Sequence, residues 1–418
     1  MAQKLFIKNF TLLVFGQVSS LFGNFILRLA LSMYILDVTG SAAVFAGILS
    51  AAAIPTILLS PFGGILADRT NRRNIMIALD ALTGISVLCA ALLFSPGNDI
   101  AIITVLLVIL SILGAFETPT VQSCVPQMLT GENIIKGNAV INQVASISYF
   151  VGPILGGALY AAFGLKPVMY ASIACFFITA LFECFIKLDN PHAQNTGNIL
   201  STIKHDFSES VRFIGKEQPS ILKMLLLASI SRFFVMGIVM VGFPYIVRTV
   251  LGLSSTYYGA AEGALAIATI LGSVAAGLLT GKLKTRKLSV IFAAFGAFII
   301  PAGVIFLLPA GTVVRYIISI MALCGVQIAI SIFSIFAVSL IQQKTPGHLI
   351  GKVMAYTVTV TMCVQPLGQI AYGFLFDGFS NEVYLVLIPT GIIVCVIGLL
   401  ATDFFRQLEK EQDFSAQN

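Results

Sequence analysis

Apolar segments long enough to cross a lipid bilayer alternate with short polar segments along most of this 418-residue chain. A helix of about 20 residues spans the hydrocarbon core, because each residue adds about 1.5 Å and the core is about 30 Å thick. The pattern predicts twelve such helices, with bounds near 10–36, 42–66, 74–95, 100–126, 139–163, 168–187, 222–248, 255–281, 288–309, 312–341, 352–376 and 383–405.

A repeat divides this pattern into two halves. Residues 51–64 and 264–277 share eight identities at a constant offset of 213, without a gap. Pro153 and Pro366 keep the same offset, each within a glycine-containing apolar segment. We therefore predict an all-α integral membrane protein of two pseudo-symmetric six-helix bundles, a form in which the halves rock around a site between them.

The repeat also sets the predicted domains. The linker between the bundles contains Ile203, Phe207, Val211 and Ile214 at helical spacing with charged residues between them, which predicts an amphipathic helix on the membrane surface. The expected domains are a bundle at 1–187, a cytoplasmic linker at 188–221, a second bundle at 222–405 and a cytoplasmic tail at 406–418.

Basic residues concentrate on one side of the predicted topology. Of the 24 Lys and Arg residues, 19 fall in segments on the same side as both termini, and only Lys166, Arg248 and Arg315 fall opposite. Positive loops stay in the cytoplasm. We therefore expect cytoplasmic termini and linker in a multi-pass protein of the plasma membrane, in bacteria the cytoplasmic membrane.

Composition excludes several classes of protein. Charged residues make up 10% of the chain, whereas a soluble domain has about 25%. The net charge of +6 is spread over short loops, so we expect lipid around the protein and no nucleic-acid partner. The seven cysteines include no CxxC pair, and no HExxH, GxSxG or P-loop motif is present. The sequence therefore predicts no metal, no cofactor and no enzyme, and the repeat favours a transporter over a channel.

The loop between the second and third predicted helices reads GILADRTNRR, from Gly64 to Arg73. The glycine lets two helices approach closely, and Asp68 can meet the positive end of a neighbouring helix. Arg69, Arg72 and Arg73 keep the loop in the cytoplasm. This segment resembles the signature loop of the major facilitator superfamily. We expect Asp68, Arg72 and Arg73 to latch the cytoplasmic side when the protein opens outward.

The fifth predicted helix contains Gly152, Pro153, Gly156 and Gly157. The proline removes a backbone hydrogen bond and the glycines allow a close helix contact. This pattern resembles the helix-5 motif associated with exporters of the superfamily.

Further features make the chain similar to the macrolide-efflux-like, drug:proton antiporter branch of that superfamily: Gly40-Ser41, Asp80 and the segments 115–119 and 125–127. The resemblance implies a single polypeptide, expected to be a monomer, that exports amphipathic small molecules at the expense of the proton gradient. A siderophore or other metabolite exporter and a lysophospholipid flippase stay open as alternatives.

Charged side chains inside predicted spans are costly and are candidates for function. Arg28, Glu117, Arg232 and Glu262 are such residues, and the resembled fold places helices 1, 4, 7 and 10 around the cavity. We expect additional polar surface from Gln17, Asn24, Gln122, Asn142, Gln143 and Gln327, and an apolar wall from Phe233, Tyr245, Phe333 and Phe336.

The acids and arginines are expected to pair across the two halves. Arg232 lies at a depth similar to that of Glu117, and Arg28 at a depth similar to that of Glu262. We expect Glu117 and Glu262 to carry proton coupling and these pairs to break and form during the cycle. Asp80 and Glu183 are interpreted as structural carboxylates near the ends of the third and sixth helices. The alternative that the Arg–Glu pairs are static and that coupling runs through Asp68 or Asp80 stays open.

Overall fold

The computed structural model describes residues 5–95, 97–188, 212–280, 282–347, 349–380 and 382–417. Within these ranges, helical segments are joined by short turns, and no strand is present among the described residues. Twelve helices of this part of the chain are long and apolar enough to cross a membrane. The predicted all-α class and the predicted number of spans are confirmed.

The spanning helices are named α1 to α12 in chain order. Their bounds are Lys8–Thr39, Ala42–Arg69, Arg72–Leu93, Asp99–Met128, Glu132–Phe163, Leu165–Cys184, Pro219–Val250, Ser255–Leu279, Leu288–Val304, Thr312–Lys344, Ile350–Gly378 and Tyr384–Leu400. A further helix, α13, follows at Thr402–Gln417.

Local signals explain several helix ends. Gly40 ends α1 in the left-handed conformation, with φ of 60°, and its N–H donates to the Leu36 carbonyl. Glycine adopts this conformation without steric cost, which is why it often follows a helix. Asn71 is the N-cap residue of α3, and its side-chain oxygen accepts a hydrogen bond from the Asn74 N–H at 3.4 Å.

The chain divides into two compact units, each made of three segments. The first unit comprises Met1–Gly40, Val44–Thr196 and Leu253–Gly263, and the second comprises Ser41–Ala43, Gly197–Gly252 and Ala264–Asn418. The start of α2 is thus grouped with the later helices and the start of α8 with the earlier ones. The amphipathic helix expected in the linker lies largely outside the described residues.

The segment expected as a tail after the last span belongs to α13. Phe405 and Leu408 are buried in the hydrophobic core of the second unit. A Glu409 carboxylate oxygen accepts a hydrogen bond from the Arg286 N–H at 2.7 Å, and Glu411 lies 2.6 Å from Lys344. The amphipathic pattern of α13 is too polar for a spanning helix, so a search for apolar runs does not detect it.

Helix α7 contains two wider π-helical turns, at Ile238–Gly242 and Ile246–Val250. Gly237 and Gly242 lie directly against aromatic rings of α11. A Cβ at Gly237 would lie 2.2 Å from Tyr372, and one at Gly242 would lie 2.2 Å from Phe376. The two helices approach this closely only because α7 has no side chain at these positions.

Candidate functional site

Helix α1 carries a polar stripe inside the first unit. Gln17, Ser20, Asn24 and Arg28 recur at intervals of three or four residues, which places them on one face of the helix. The Arg28 Nε donates a hydrogen bond to the Asn24 Oδ1 at 2.6 Å. Gln17 and Ser20 are buried. A stripe of this kind brings polar chemistry into an otherwise apolar bundle.

Three carboxyl groups from other helices meet this stripe. The Ser20 hydroxyl donates to the Asp80 Oδ1 at 2.8 Å and lies 3.3 Å from the Glu117 Oε1. The Glu183 side chain lies against Gly16, one helical turn before Ser20 on the same face of α1, and Asp80 acts on it electrostatically. Asp80, Glu117 and Glu183 thus join α3, α4 and α6 at one point of α1. No group of His, Cys, Asp and Glu suited to holding a metal ion occurs among the described residues.

Sequence analysis did not bring Asp80 and Glu183 together. Each lies near one end of its own helix, and no local pattern links residues 103 positions apart, so each had been interpreted separately as a structural carboxylate. The structure buries both almost completely, at 3% and 1% of their accessible surface. Two neighbouring buried carboxyl groups form an unusual site for which the sequence contains no spacing rule.

The partner of Arg28 differs from the expected one. Arg28 is attracted electrostatically to Glu117. Glu262 instead accepts a hydrogen bond from the Tyr258 hydroxyl at 2.6 Å, one helical turn earlier on α8. The expected pair of Arg28 with Glu262 is therefore not formed. The expected pair of Arg232 with Glu117 would join the two units and stays a prediction.

The glycines of α5 lie at two close helix contacts in the first unit. A Cβ at Gly152 would lie 2.6 Å from Phe25, and one at Gly156 would lie 3.1 Å from the Ile26 backbone. On the other side, a Cβ at Gly157 would lie 2.5 Å from the Ser255 carbonyl oxygen. The motif therefore packs α5 against α1 and against the start of α8.

Helix α8 also contributes a glycine to this contact. A Cβ at Gly259 would lie 2.4 Å from the carbonyl oxygen of Pro153, and the Ser255 hydroxyl donates to the Gly157 carbonyl at 3.0 Å. Glu262 lies one turn further along α8, where it interacts electrostatically with Tyr149 of α5. The α5–α8 contact thus holds Glu262 beside α5.

A cavity of about 220 Å³ lies between α7, α10 and α11 in the second unit. Arg232 and Phe333, both expected at a cavity, line it together with Met236, Met354 and Thr361. The Arg232 Nη2 donates to the Gln365 side-chain oxygen at 3.2 Å. An apolar wall with a few fixed polar groups is typical of a site for an organic small molecule.

The other residues expected at a cavity do not line this one. Phe233 packs against Tyr372, and Tyr245 packs against Phe376, with ring centroids 6.2 and 6.1 Å apart. The Gln327 amide donates to the Thr269 hydroxyl of α8 at 3.0 Å. Asn142, Gln122 and Gln143 are exposed, and Phe336 packs against the core of the second unit.

The arginines of the loop between α2 and α3 bind the ends of neighbouring helices. The Arg72 Nη1 donates to the Ser123 carbonyl of α4 at 2.7 Å. The Arg73 guanidinium donates to the carbonyls of Glu183 and Cys184 at the end of α6. Cations stabilise the negative end of a helix, so both residues fasten helices of the first unit. The side chains of Asp68 and Arg69 and the surroundings of Gly64 lie outside the described part.

Sequence analysis missed Asp377 at the end of α11. Its carboxylate accepts hydrogen bonds from the Ser41 hydroxyl at 2.5 Å, the Ala42 N–H at 2.6 Å and the Ala43 N–H at 3.0 Å. Asp377 therefore caps the start of α2, where the helix dipole favours a negative charge. The two segments are more than 330 residues apart, so only the folded chain reveals the contact.

The fold and the buried side chains identify the class of protein. Apolar helices in two bundles, an internal repeat and ionisable side chains inside the bundles are the features of a membrane transporter. The model of the Major Facilitator Superfamily matches residues 13–369, which is most of the chain. The chain belongs to this family of transporters.

Similar proteins are known by name. Macrolide efflux protein A of Streptococcus pyogenes is 23% identical over 389 residues, which cover 91% of this chain and 92% of that protein. The multidrug efflux pump Tap of Mycolicibacterium fortuitum is 22% identical over 400 residues, covering 93% and 94%. A solved structure of a mutant peptide transporter POT with alafosfalin has a TM-score of 0.75 at 14% identity, covering 96% of this chain and 95% of that one. The solved structure shares the fold.

The close contact between α5 and α8 predicts that a methyl group added at Gly259 destabilises the protein. Gly259→Ala should destabilise the protein by about 1–3 kcal/mol, because the new Cβ would collide with the Pro153 carbonyl. Thermal unfolding of the purified protein in detergent measures this loss. Gly277→Ala, in the same helix but with open space around the Cβ position, is the control. Equal melting temperatures for the two variants would contradict the contact.

The Asp377 cap predicts a local change at the start of α2. Asp377→Asn removes the charge and one accepting oxygen, which should cost about 1 kcal/mol of local stability and speed amide exchange at Ala42 and Ala43 roughly fivefold. Hydrogen exchange read by mass spectrometry measures this. Glu382→Gln, an exposed acid five residues further on, is the control. Unchanged amide exchange in Asp377→Asn would show that Asp377 does not stabilise the start of α2.

Proposed function

We propose that this protein is a secondary active transporter that exports amphipathic small molecules by alternating access, driven by the proton gradient. The observation that carries the proposal is the cluster of buried acids around Ser20, because a carboxyl group inside a membrane bundle can take up and release a proton. The named relatives, a macrolide efflux protein and a multidrug efflux pump, support export as the direction.

The cavity of the second unit supports an amphipathic substrate. Its wall is mostly apolar, and Arg232 supplies one positive charge with a buried Nε that has no hydrogen-bond partner. A substrate with an apolar body and an accepting oxygen would satisfy both features. Arg232 and the neighbouring Thr361 would orient it, and Phe333 with the two methionines would pack against its apolar part.

Coupling in this proposal runs through Glu117 and Glu262. Protonation of Glu117 removes the charge that attracts Arg28, so the arginine is released to move toward another partner. Glu262 holds the Tyr258 hydroxyl next to α5, and protonation would weaken that hydrogen bond. Each event changes a contact of α1 or α8, which are the helices that the α5 glycines touch.

The proposal includes the orientation and the gate. Both termini lie in the cytoplasm, the protein is a monomer of the bacterial cytoplasmic membrane, and Asp68 with Arg72 and Arg73 latches its cytoplasmic side. The concentration of basic residues in the loops on that side supports this orientation.

Transport in proteoliposomes tests the function. Purified protein should transport a labelled macrolide against its concentration gradient when a pH gradient is imposed, and a protonophore should abolish the accumulation. A labelled siderophore and a labelled lysophospholipid are tested in parallel, so preference for either would replace the proposed substrate class. Transport that ignores the pH gradient would exclude proton coupling.

Substitution of the two acids tests the coupling. Glu117→Gln and Glu262→Gln, made separately, should abolish gradient-driven efflux and retain gradient-free exchange, because an amide side chain does not gain or lose a charge by protonation near neutral pH. Glu132→Gln, in an exposed ion pair with Lys136, is the matched control. If both variants retain full gradient-driven efflux, Glu117 and Glu262 do not carry coupling.

Labelling of the two ends of α4 tests the topology. In a variant without its native cysteines, Asn98→Cys should react with an impermeant thiol reagent from outside, whereas Thr130→Cys should be protected. Both positions are exposed and flank the same helix, Asp99–Met128. The opposite labelling pattern would place the termini outside the cell.

A further inference from the structure

We propose that Asp80 and Glu183 share one exchangeable proton and that this pair, connected through Ser20 to Glu117, is the proton-binding site of the transporter. The inference rests on the proposed proton coupling and adds the residues that store the proton. Sequence analysis had placed Asp80 and Glu183 among structural carboxylates. Their arrangement in the bundle supports a different role, for three separate reasons.

The first reason is the burial of two acids beside one face of α1. The Asp80 Oδ1 accepts a hydrogen bond from Ser20, and the Glu183 side chain lies against Gly16, one helical turn earlier on that face. Both acids are almost fully buried, and Asp80 acts electrostatically on Glu183. Two neighbouring negative charges away from water are strongly unfavourable, and one shared proton removes one of them.

The second reason is the charge balance around Ser20. Asp80, Glu117 and Glu183 meet here, and Arg28 attracts Glu117. The Arg73 guanidinium binds the backbone carbonyl oxygens of Glu183 and Cys184. With Arg28 opposite Glu117, Asp80 and Glu183 carry two further negative charges when both are ionised, and one shared proton leaves one.

Other titratable or charged groups surround the site at greater remove. Arg72 is bound at the Ser123 carbonyl of α4 and attracts the Cys124 thiol, which also interacts with Glu183. The Cys184 thiol of α6 interacts with Glu183 as well. These groups lie toward the ends of α4 and α6 and do not separate the two acids.

The third reason is that one buried donor and one buried acceptor near these acids lack hydrogen-bond partners. The Gln17 Nε2 and the Glu183 Oε2 are buried without hydrogen-bond partners. Gln17 is 5% exposed and lies on the same face of α1 as Ser20, and the preceding residue, Gly16, lies against the Glu183 side chain. Unsatisfied buried groups are rare and are typical of sites that change hydrogen bonding during function.

The repeat argues against a purely structural role. At the constant offset of 213, the counterparts of Asp80 and Glu117 are Ala293 and Ile330. The second bundle forms α9 and α10 at these positions with apolar side chains. The fold therefore does not require an acid there, and the first bundle retains two.

Ser20 provides a balanced path between the acids. A proton on Glu117 passes to the Ser20 oxygen while Ser20 passes its own hydrogen to Asp80, across the 3.3 and 2.8 Å contacts. One O–H bond breaks at Glu117, one forms at Asp80, and Ser20 is unchanged. The reverse step returns the proton to Glu117, where it competes with Arg28.

Infrared difference spectroscopy of the purified full-length protein tests the site without any substrate. The carbonyl stretch of a protonated carboxyl group is distinct from the bands of a carboxylate and shifts in D2O. At neutral pH such a band should be present and should disappear as the pH is raised. The difference between the wild-type spectrum and that of Asp80→Asn or Glu183→Gln should contain this band, and the difference against Glu132→Gln should lack it.

The outcomes separate this inference from the proposed function. If the band is absent in the wild type, or absent from the difference spectra of both variants, the shared proton is wrong even when transport is gradient-driven. If the difference band titrates as described but transport ignores the pH gradient, the shared proton stands and the proposed coupling fails. Each variant gives its own difference spectrum, so one that folds is enough to decide.

Ser20→Ala tests the connection to Glu117. This variant should retain the infrared band, because Asp80 and Glu183 still share their proton, but gradient-driven efflux should fall to the level of gradient-free exchange. A structural role for Ser20 predicts equal losses of both transport modes. Ser146→Ala is the control, since this exposed hydroxyl of α5 bonds only to the carbonyl one turn earlier.

Discussion

The cost of leaving a polar group without a partner in an apolar environment determines most of this structure. Lipid offers no hydrogen bonds to the backbone, so the spanning segments are helices that satisfy their own N–H and C=O groups. The same cost applies to side chains. Arg28 bonds to Asn24 on its own helix, and Glu262 bonds to Tyr258 in the same way. Arg28 and Glu262 are therefore held by contacts within one helix, whereas Asp80 and Glu117 are held by Ser20 of another helix.

Close helix contacts are the second consequence of lipid as a solvent. Lipid tails are as apolar as the side chains, so the helices associate through packing and through interhelical hydrogen bonds. Gly157 and Gly259 let backbones of α5 and α8 touch, and Gly237 lets α7 touch the ring of Tyr372. Such contacts transmit movement because they have no flexible side chain between them. A displacement at Glu262 therefore reaches α5 directly.

Local patterns made the fold predictable, and distant contacts limited the prediction of the site. Apolar runs, the repeat and the glycines of α5 are visible in short stretches of sequence, and Arg28 and Glu117 were recognisable as charges inside spans. The proximity of Asp80 to Glu183 and the contact of Ser41 with Asp377 depend on which helices become neighbours. Helix α13 was missed for another reason, since its charges hide the buried Leu408 from a search for apolar spans.

The two units bury different chemistry despite their common repeat. The first unit gathers three acids around Ser20, whereas Arg232 of the second unit lies at a cavity and bonds to the neutral amide of Gln365. An acid cluster suits protons, and an arginine in an apolar cavity suits an organic molecule with an accepting oxygen. Under the proposed function, the halves divide the work between the coupling ion and the substrate. Because ion and substrate then occupy different units, they do not compete for one site.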